Sequence, residues 1–428
     1  MRVDLFDLAL LAERPFKRVC PVPDDLDAVS DRGAEELAPD LGADPDRVES
    51  VWEAARDLYR TGLHPAIQLC IRRSGRVVLN RAIGRARGGG PDDFPGEAAV
   101  PVDVETPFLL YSASKAIAAM AIHKLDELGG IHLDDRICDY IPEFAVHRKQ
   151  WITIRHVLSH RAGIPMVPRE AIDLDLLAQP AAIIDLLCQL EPLHGAGRRV
   201  AYHAISGGFL LGEIVQRVTG ADLRQLLRKE VLDPLGFRWM NFGVSEADVP
   251  LVARDAATGL PVPPPFSWAL ERALGTPFRE VVELASDPRF LTAVVPSANV
   301  VSTAQELCAF YQCLLDGGEL DGVRVFDERT VRHATSEQTF WELDLTLFLP
   351  LRYGLGFMLG GDPVGLFGWK TRHAFGHLGF TNIFSWADPE RELAVALLTS
   401  GKSFVSVDAV RLLGLLHRIG QAFPPIER

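Results

Sequence analysis

Lysine is scarce in this 428-residue chain: seven are present, against 57 acidic side chains, and the formal net charge is −13. Such a surface is not built to hold phosphates or anionic lipids, so nucleic acid is not an expected partner. Long apolar runs are missing as well. No stretch approaches the roughly 20 residues that cross a bilayer, and Leu8-Ala9-Leu10-Leu11-Ala12 is too short for a signal core and is flanked by Asp4, Asp7 and Glu13 instead of basic residues. The six cysteines form no CxxC pair and no metal-finger spacing, which fits buried thiols in a reducing compartment. A cytoplasmic protein is the expectation. Internal repeats and low-complexity tracts are absent, and with 48% hydrophobic and 24% charged residues the chain has the composition of an ordinary globular protein.

What is present has a readable order. Residues 1–43 are acidic, carry scattered prolines and lack periodicity, so they read as an extension. From Asp44, a capping residue, Val48, Val51, Trp52, Ala55, Leu58 and Tyr59 recur at helical spacing up to Gly62. Two apolar runs joined by Arg73-Ser74-Gly75 predict a hairpin. Helical patterns dominate from Ser112 to about Phe242, and Ser302-Thr303-Ala304-Gln305 opens another helix. Strand-like runs return over residues 353–359, 381–387 and 393–399, and residues 407–419 close as a helix. Strands at both ends with helices between them predict an α+β fold: one antiparallel sheet shared by the N- and C-terminal segments, flanked by helices, with a helical inserted domain. The boundaries expected are 44–135 with 330–428 for the discontinuous α/β domain and 136–329 for the helical one.

The sharpest chemical signal is Tyr111-Ser112-Ala113-Ser114-Lys115, followed by the helix-forming run Ala116-Ile117-Ala118-Ala119-Met120. Serine and lysine three apart at the start of a helix share a face, so the amine reaches the hydroxyl. The positive end of the helix favours a developing oxyanion and lowers an amine's pKa, which leaves a lysine able to take a proton. A bare SxxK also describes a capped helix with a solvated lysine; its surroundings decide between the two.

With those surroundings the chain resembles the serine β-lactamase and penicillin-binding protein superfamily, closest to the class C β-lactamases and the family VIII carboxylesterases. The resemblance spans residues 65–400. Thr106-Pro107-Phe108 leads into the SxxK, Leu133-Asp134-Asp135 and Tyr140-Ile141-Pro142-Glu143-Phe144 follow the helix, and Leu158-Ser159-His160-Arg161-Ala162-Gly163 is similar to the family's Leu-Ser-His-Thr-Ser-Gly. Tyr202-His203-Ala204 stands where the family usually has Tyr-Ser-Asn. Gly376-His377-Leu378-Gly379 stands where the lactamases carry Lys-Thr-Gly and many of the esterases His-x-Gly.

The resemblance implies that Ser112 is the acylated nucleophile and that Lys115 and Tyr202 remove and return its proton, the phenol becoming phenolate-like beside an ammonium. It also implies an oxyanion hole from the backbone N–H groups of Ser112 and Phe380, with His377 and Gly379 on an edge strand beside the substrate. The sequence alone equally allows Gly379 to mark a bulge. The pair His156/His160 lacks the glutamate of a HExxH site and the pair His373/His377 lies where strand is expected, so neither a metal nor a cofactor is expected. The function expected is hydrolysis of small carboxylic esters. A β-lactamase or D-Ala peptidase, an acyltransferase, and a non-catalytic binding protein are the alternatives on the same scaffold. Oligomeric state leaves no mark in the sequence.

Overall fold

The computed structural model describes residues 18–36, 44–93, 96–168, 172–404 and 408–426. The remainder of the N-terminal extension, with the run Leu8 to Ala12, lies outside the described residues, as does Val407.

The hairpin forms at the predicted place, with Ser74 and Gly75 at φ 50° and 83°, the left-handed pair that a tight two-residue turn needs. Its arms belong to an eight-stranded antiparallel sheet. The N-terminal part supplies β1 (Ser30–Arg32), β2 (Ala66–Arg73), β3 (Arg76–Arg87) and β4 (Val100–Pro101). The C-terminal part supplies β5 (Met358–Leu359), β6 (Phe375–Leu378), β7 (Phe384–Asp388) and β8 (Leu393–Thr399). Across the sheet the order is β1-β3-β2-β8-β7-β6-β5, with β4 on β3, so the two ends of the chain meet where β2 pairs with β8 from Arg73↔Leu393 to Ile67↔Thr399. This is the shared antiparallel sheet that the sequence predicts.

Both faces are covered, which is why the central strands read as continuous apolar runs. Ile67, Leu69, Ile71, Val395 and Leu397 point to one side, where α1 (Pro45–Arg60) packs with the C-terminal helix Asp408–Ala422. Asp44 caps α1 by accepting from the N–H groups of Asp46 and Arg47. The alternate residues, Cys70, Ala394, Ala396 and Leu398, face the other side, where mostly small side chains let the helix Ala304–Leu315 approach. On that side also runs α2 (Ser114–Glu127), buried continuously from Ser114 to His123, as expected of a helix apolar on all faces.

Two strand boundaries differ from expectation. Residues 353–359 form a tight reversal in which Tyr353 bridges Met358, because Gly356 takes φ 95° and lies against Ala119, where no side chain fits. The strand expected from Thr381 begins at Phe384, since Thr381 is itself left-handed at φ 62°. Of β6, Phe375 and Gly376 pair with β5, whereas His377 and Leu378 lie beyond that pairing.

One polar side chain crosses this apolar body. Gln68 of β2 donates to the carbonyls of Asp103 (2.6 Å) and Thr106 (2.8 Å) and accepts from the N–H of Ala304 (2.9 Å), tying the segment before Ser112 and the start of a helix to the central strand. Replacement by leucine strands two buried backbone groups, the Thr106 carbonyl and the Ala304 N–H, each costing about 1–3 kcal/mol, and also loses the part-buried bond to Asp103. We therefore expect Gln68→Leu to lose at least about 2 kcal/mol in urea denaturation, and a midpoint equal to wild type would remove Gln68 from this role.

Candidate active site

The chain reaches Ser112 through a short strand, Phe108–Leu109, paired with Val301 and Ser302. Leu110 donates to Val300 (2.8 Å), and the backbone then reverses at Tyr111, whose φ of 49° is uncommon for a bulky residue. Ser112 follows in a 3₁₀ turn, Tyr111–Ala113, that runs directly into α2. The Ser114 hydroxyl accepts from the N–H of Val300 (3.0 Å), which pins the turn from its other side. Tyr111 is held by contacts far away in sequence: its hydroxyl donates to Asp255 (2.9 Å), and Lys402 sits over its ring while ion-paired to Asp255.

Lys115, one turn on, is buried at 9% exposure and donates from Nζ to Ser112 Oγ (3.1 Å) and to the Ser297 carbonyl (3.0 Å). Its Nζ lies 4.8 Å from the centre of the Tyr202 ring. Among the described residues no carboxylate is paired with it, and burial pushes the amine down to about 7. The Tyr202 phenol, within hydrogen-bonding reach of Ser112, is pushed up by burial, with the charge of Asp344 adding to the effect. Burial disfavours both charged forms, so near neutral pH the Lys115 amine is able to take a proton while the phenol holds its own.

The strand β6 brings His377, Gly379 and Phe380 to the same place. A side chain on Gly379 would collide with the Leu110 carbonyl and with Ile383, so this segment lies directly against the approach to Ser112. The Phe380 ring stacks on Tyr111 at 5.3 Å, and Ser112, Tyr202 and Phe380 line one cavity. His377 is 1% exposed, its ring 6.2 Å from that of Tyr202. Its Nδ1 donates to the Leu378 carbonyl (2.7 Å), and burial, with Lys115 nearby, pushes it down to about 3, so it is neutral. His160, of the other histidine pair, packs at 4.7 Å against Tyr202, while His156 serves as a cap, accepting from the N–H of Thr153.

Several residues of this cluster carry no signal in the sequence. Ser297 accepts from Lys115 through its carbonyl and uses its hydroxyl to join Gly208 N–H (3.1 Å) to the Ile205 carbonyl (3.1 Å). Asp344 is wholly buried: Oδ1 accepts from the N–H groups of Tyr202, Thr346 and Leu347, and Oδ2 from the Tyr353 hydroxyl. It thus fixes the backbone that carries Tyr202. Asp255 and Lys402 hold the side chain of Tyr111. None lies in a motif, and only the folded contacts reveal them.

The β-lactamase family model matches residues 55–417. The esterase/β-lactamase LipL of Mycobacterium tuberculosis is 30% identical over 337 residues, 76% of each chain. Among solved structures, a penicillin-binding protein homologue from Caulobacter crescentus superposes with a TM-score of 0.75 at 27% identity, over 89% of this chain and 98% of that one. A family VIII carboxylesterase superposes at 0.73 and 26% identity, over 87% and 97%.

The low value of Lys115 has a measurable sign. Between about pH 7 and the ordinary lysine value of 10.5 the unfolded chain carries one proton more at this position than the folded one, so stability rises with pH across that window. With only seven lysines, ¹⁵N-lysine NMR should show one amine titrating near 7, absent from Lys115→Met, and the variant should lose that part of the stability slope. A Lys115 amine, assigned by its loss in Lys115→Met, that titrates near 10.5 would contradict the buried geometry.

Proposed function

The chain belongs to the β-lactamase family, and from that premise we propose that it cleaves small carboxylic esters through an acyl-enzyme on Ser112. The observation carrying this reading is the buried Lys115 amine, 4.8 Å from the centre of the Tyr202 ring and 3.1 Å from the Oγ of Ser112, which itself lines an apolar cavity.

The chemistry follows from the positions. Ser112 Oγ attacks the ester carbonyl carbon while its proton passes to the neutral Lys115 amine. The carbonyl oxygen, now negative, is held by the N–H groups of Ser112 and Phe380. As the oxyanion collapses the carbon–oxygen bond to the alcohol breaks, and the leaving alkoxide takes a proton from the lysine through the Tyr202 phenol. Water then attacks the acyl-enzyme, giving its proton to the same pair, and collapse releases the carboxylic acid and restores the Ser112 hydroxyl. No cofactor enters these steps.

Two side chains favour an ester over a lactam or a D-Ala peptide. Where the lactamases place a lysine that holds a substrate carboxylate, His377 is buried and neutral. Where the family usually carries an asparagine amide, Ala204 gives the cavity an apolar wall; the missing hydrogen bond is worth about 0.5–1.5 kcal/mol. An uncharged ester loses little by either change.

We expect Ser112→Ala to abolish turnover, and Lys115→Ala and Tyr202→Phe each to cost about 10²–10⁴-fold in kcat. The double variant should be little worse than the more damaging single one, because the two act as a unit. p-Nitrophenyl esters should exceed nitrocefin in kcat/KM by at least about tenfold, or about 1.4 kcal/mol of transition-state stabilisation. Nitrocefin or a D-Ala-D-Ala peptide as the better substrate at neutral pH would replace the ester reading.

A further inference from the structure

Two helices beside Ser112 turn an apolar face towards empty space. Ile183, Leu186 and Leu187 of the helix Pro180–Gln189, and Val281, Leu284 and Ala285 of the helix Phe278–Ala285, each stand at positions i, i+3 and i+4, and all six line the cavity onto which Ser112, Tyr202, Ala204 and Phe380 also open. A helical stripe of this kind ordinarily packs on a neighbour. Here the two stripes enclose a space of about 180 Å³.

The polar side chains on this wall, apart from those at the Ser112 end, are Asp173 and Thr276. Both are already engaged: Asp173 accepts from the N–H of Asp175 (2.9 Å), and the Thr276 hydroxyl donates to Glu280. Apart from the exposed carboxylate of Asp173, the wall away from Ser112 offers its occupant contact without hydrogen bonds. Water has little to hold it there, whereas a hydrocarbon gains by entering.

Building on the ester reading above, we propose that this cavity is the acyl site and that it selects esters whose acyl group has about six to eight carbons; a dry apolar cavity of about 150 Å³ holds a benzene ring. The carbonyl sits between Ser112 and Phe380, and the chain runs between the two helical stripes. Ala204 admits it: the amide usual in the family at that position would place an unpartnered polar group against the hydrocarbon. Longer chains fill the space and then have to leave it.

The test is kcat/KM for p-nitrophenyl acetate, butyrate, hexanoate, octanoate, dodecanoate and hexadecanoate, each kept below its aggregation limit, with wild type, Ile183→Trp and Phe209→Ala. Transfer of one methylene from water is worth up to about fourfold. Wild type should therefore rise at least about tenfold from acetate to a maximum at hexanoate or octanoate and gain nothing beyond. Ile183→Trp, which fills the cavity, should lower the octanoate-to-acetate ratio at least about tenfold. Phe209→Ala, which enlarges it, should raise the dodecanoate-to-hexanoate ratio. Each ratio is taken within one enzyme, so a partly unfolded sample does not distort it. Acetate as the best substrate of wild type, or ratios unmoved in both variants, overturns the acyl site while leaving the ester reading standing. Turnover of nitrocefin with no ester cleaved overturns the ester reading and the acyl site together.

Discussion

The site depends on keeping one amine out of water. A lysine in solvent is charged and cannot accept a proton near neutral pH. Lys115 sits in a continuously buried helix, meets a hydroxyl, a carbonyl and an aromatic face, and faces no carboxylate, so its ammonium form loses more solvation than it regains. The surrounding structure maintains that condition. Ser297 supplies a carbonyl, which can accept from the amine in either protonation state, and Asp344, the strongest negative charge near Tyr202, is spent on backbone N–H groups and the Tyr353 hydroxyl. A carboxylate in contact with Lys115 would restore its charge and remove the base.

The sheet fixes this amine relative to the other half of the site. α2 and the turn that leads into it carry Lys115 and Ser112 from the N-terminal part of the chain, while β6 and the residues after it come from the C-terminal part, and the pairing of β2 with β8 joins the two. Where they meet the fit is close, with Gly379 against the Leu110 carbonyl and Phe380 stacked on Tyr111. The left-handed backbone at Tyr111 is a cost of order 1–3 kcal/mol. It is held by the buried Asp255–Lys402 pair and by the hydrogen bonds of Leu110 and Ser114 to Val300. Catalytic geometry here rests on contacts between segments more than a hundred residues apart.

Legibility in the sequence followed the range of each interaction. The hairpin at Ser74-Gly75, the helix from Asp44 and the Ser112/Lys115 pair are short-range patterns, and all three stand in the structure where the sequence puts them. Tyr202, His377, Gly379 and Phe380 were named through family resemblance, and the fold brings them to the Ser112 end of the cavity or beside it. The burial that lowers the Lys115 amine and raises the Tyr202 phenol is not legible in a motif, because it comes from segments remote in sequence. Asp344, Ser297, Asp255 and Lys402 were invisible for a related reason: each acts on a residue remote in sequence. The turn at Gly356 was read as strand because local apolar composition outweighed one glycine, whereas the space left by Ala119 decided the backbone.

The central claim is that Ser112 is a nucleophile armed by a neutral Lys115. Its most direct test is the rate of covalent labelling by a fluorophosphonate as a function of pH, with the modified peptide mapped by mass spectrometry. The account predicts a single adduct on Ser112 whose rate of formation rises with pH through a midpoint near 7, and a slow, pH-flat reaction in Lys115→Met. An adduct on another serine, or labelling of Ser112 whose pH dependence is unchanged by loss of Lys115, would contradict it.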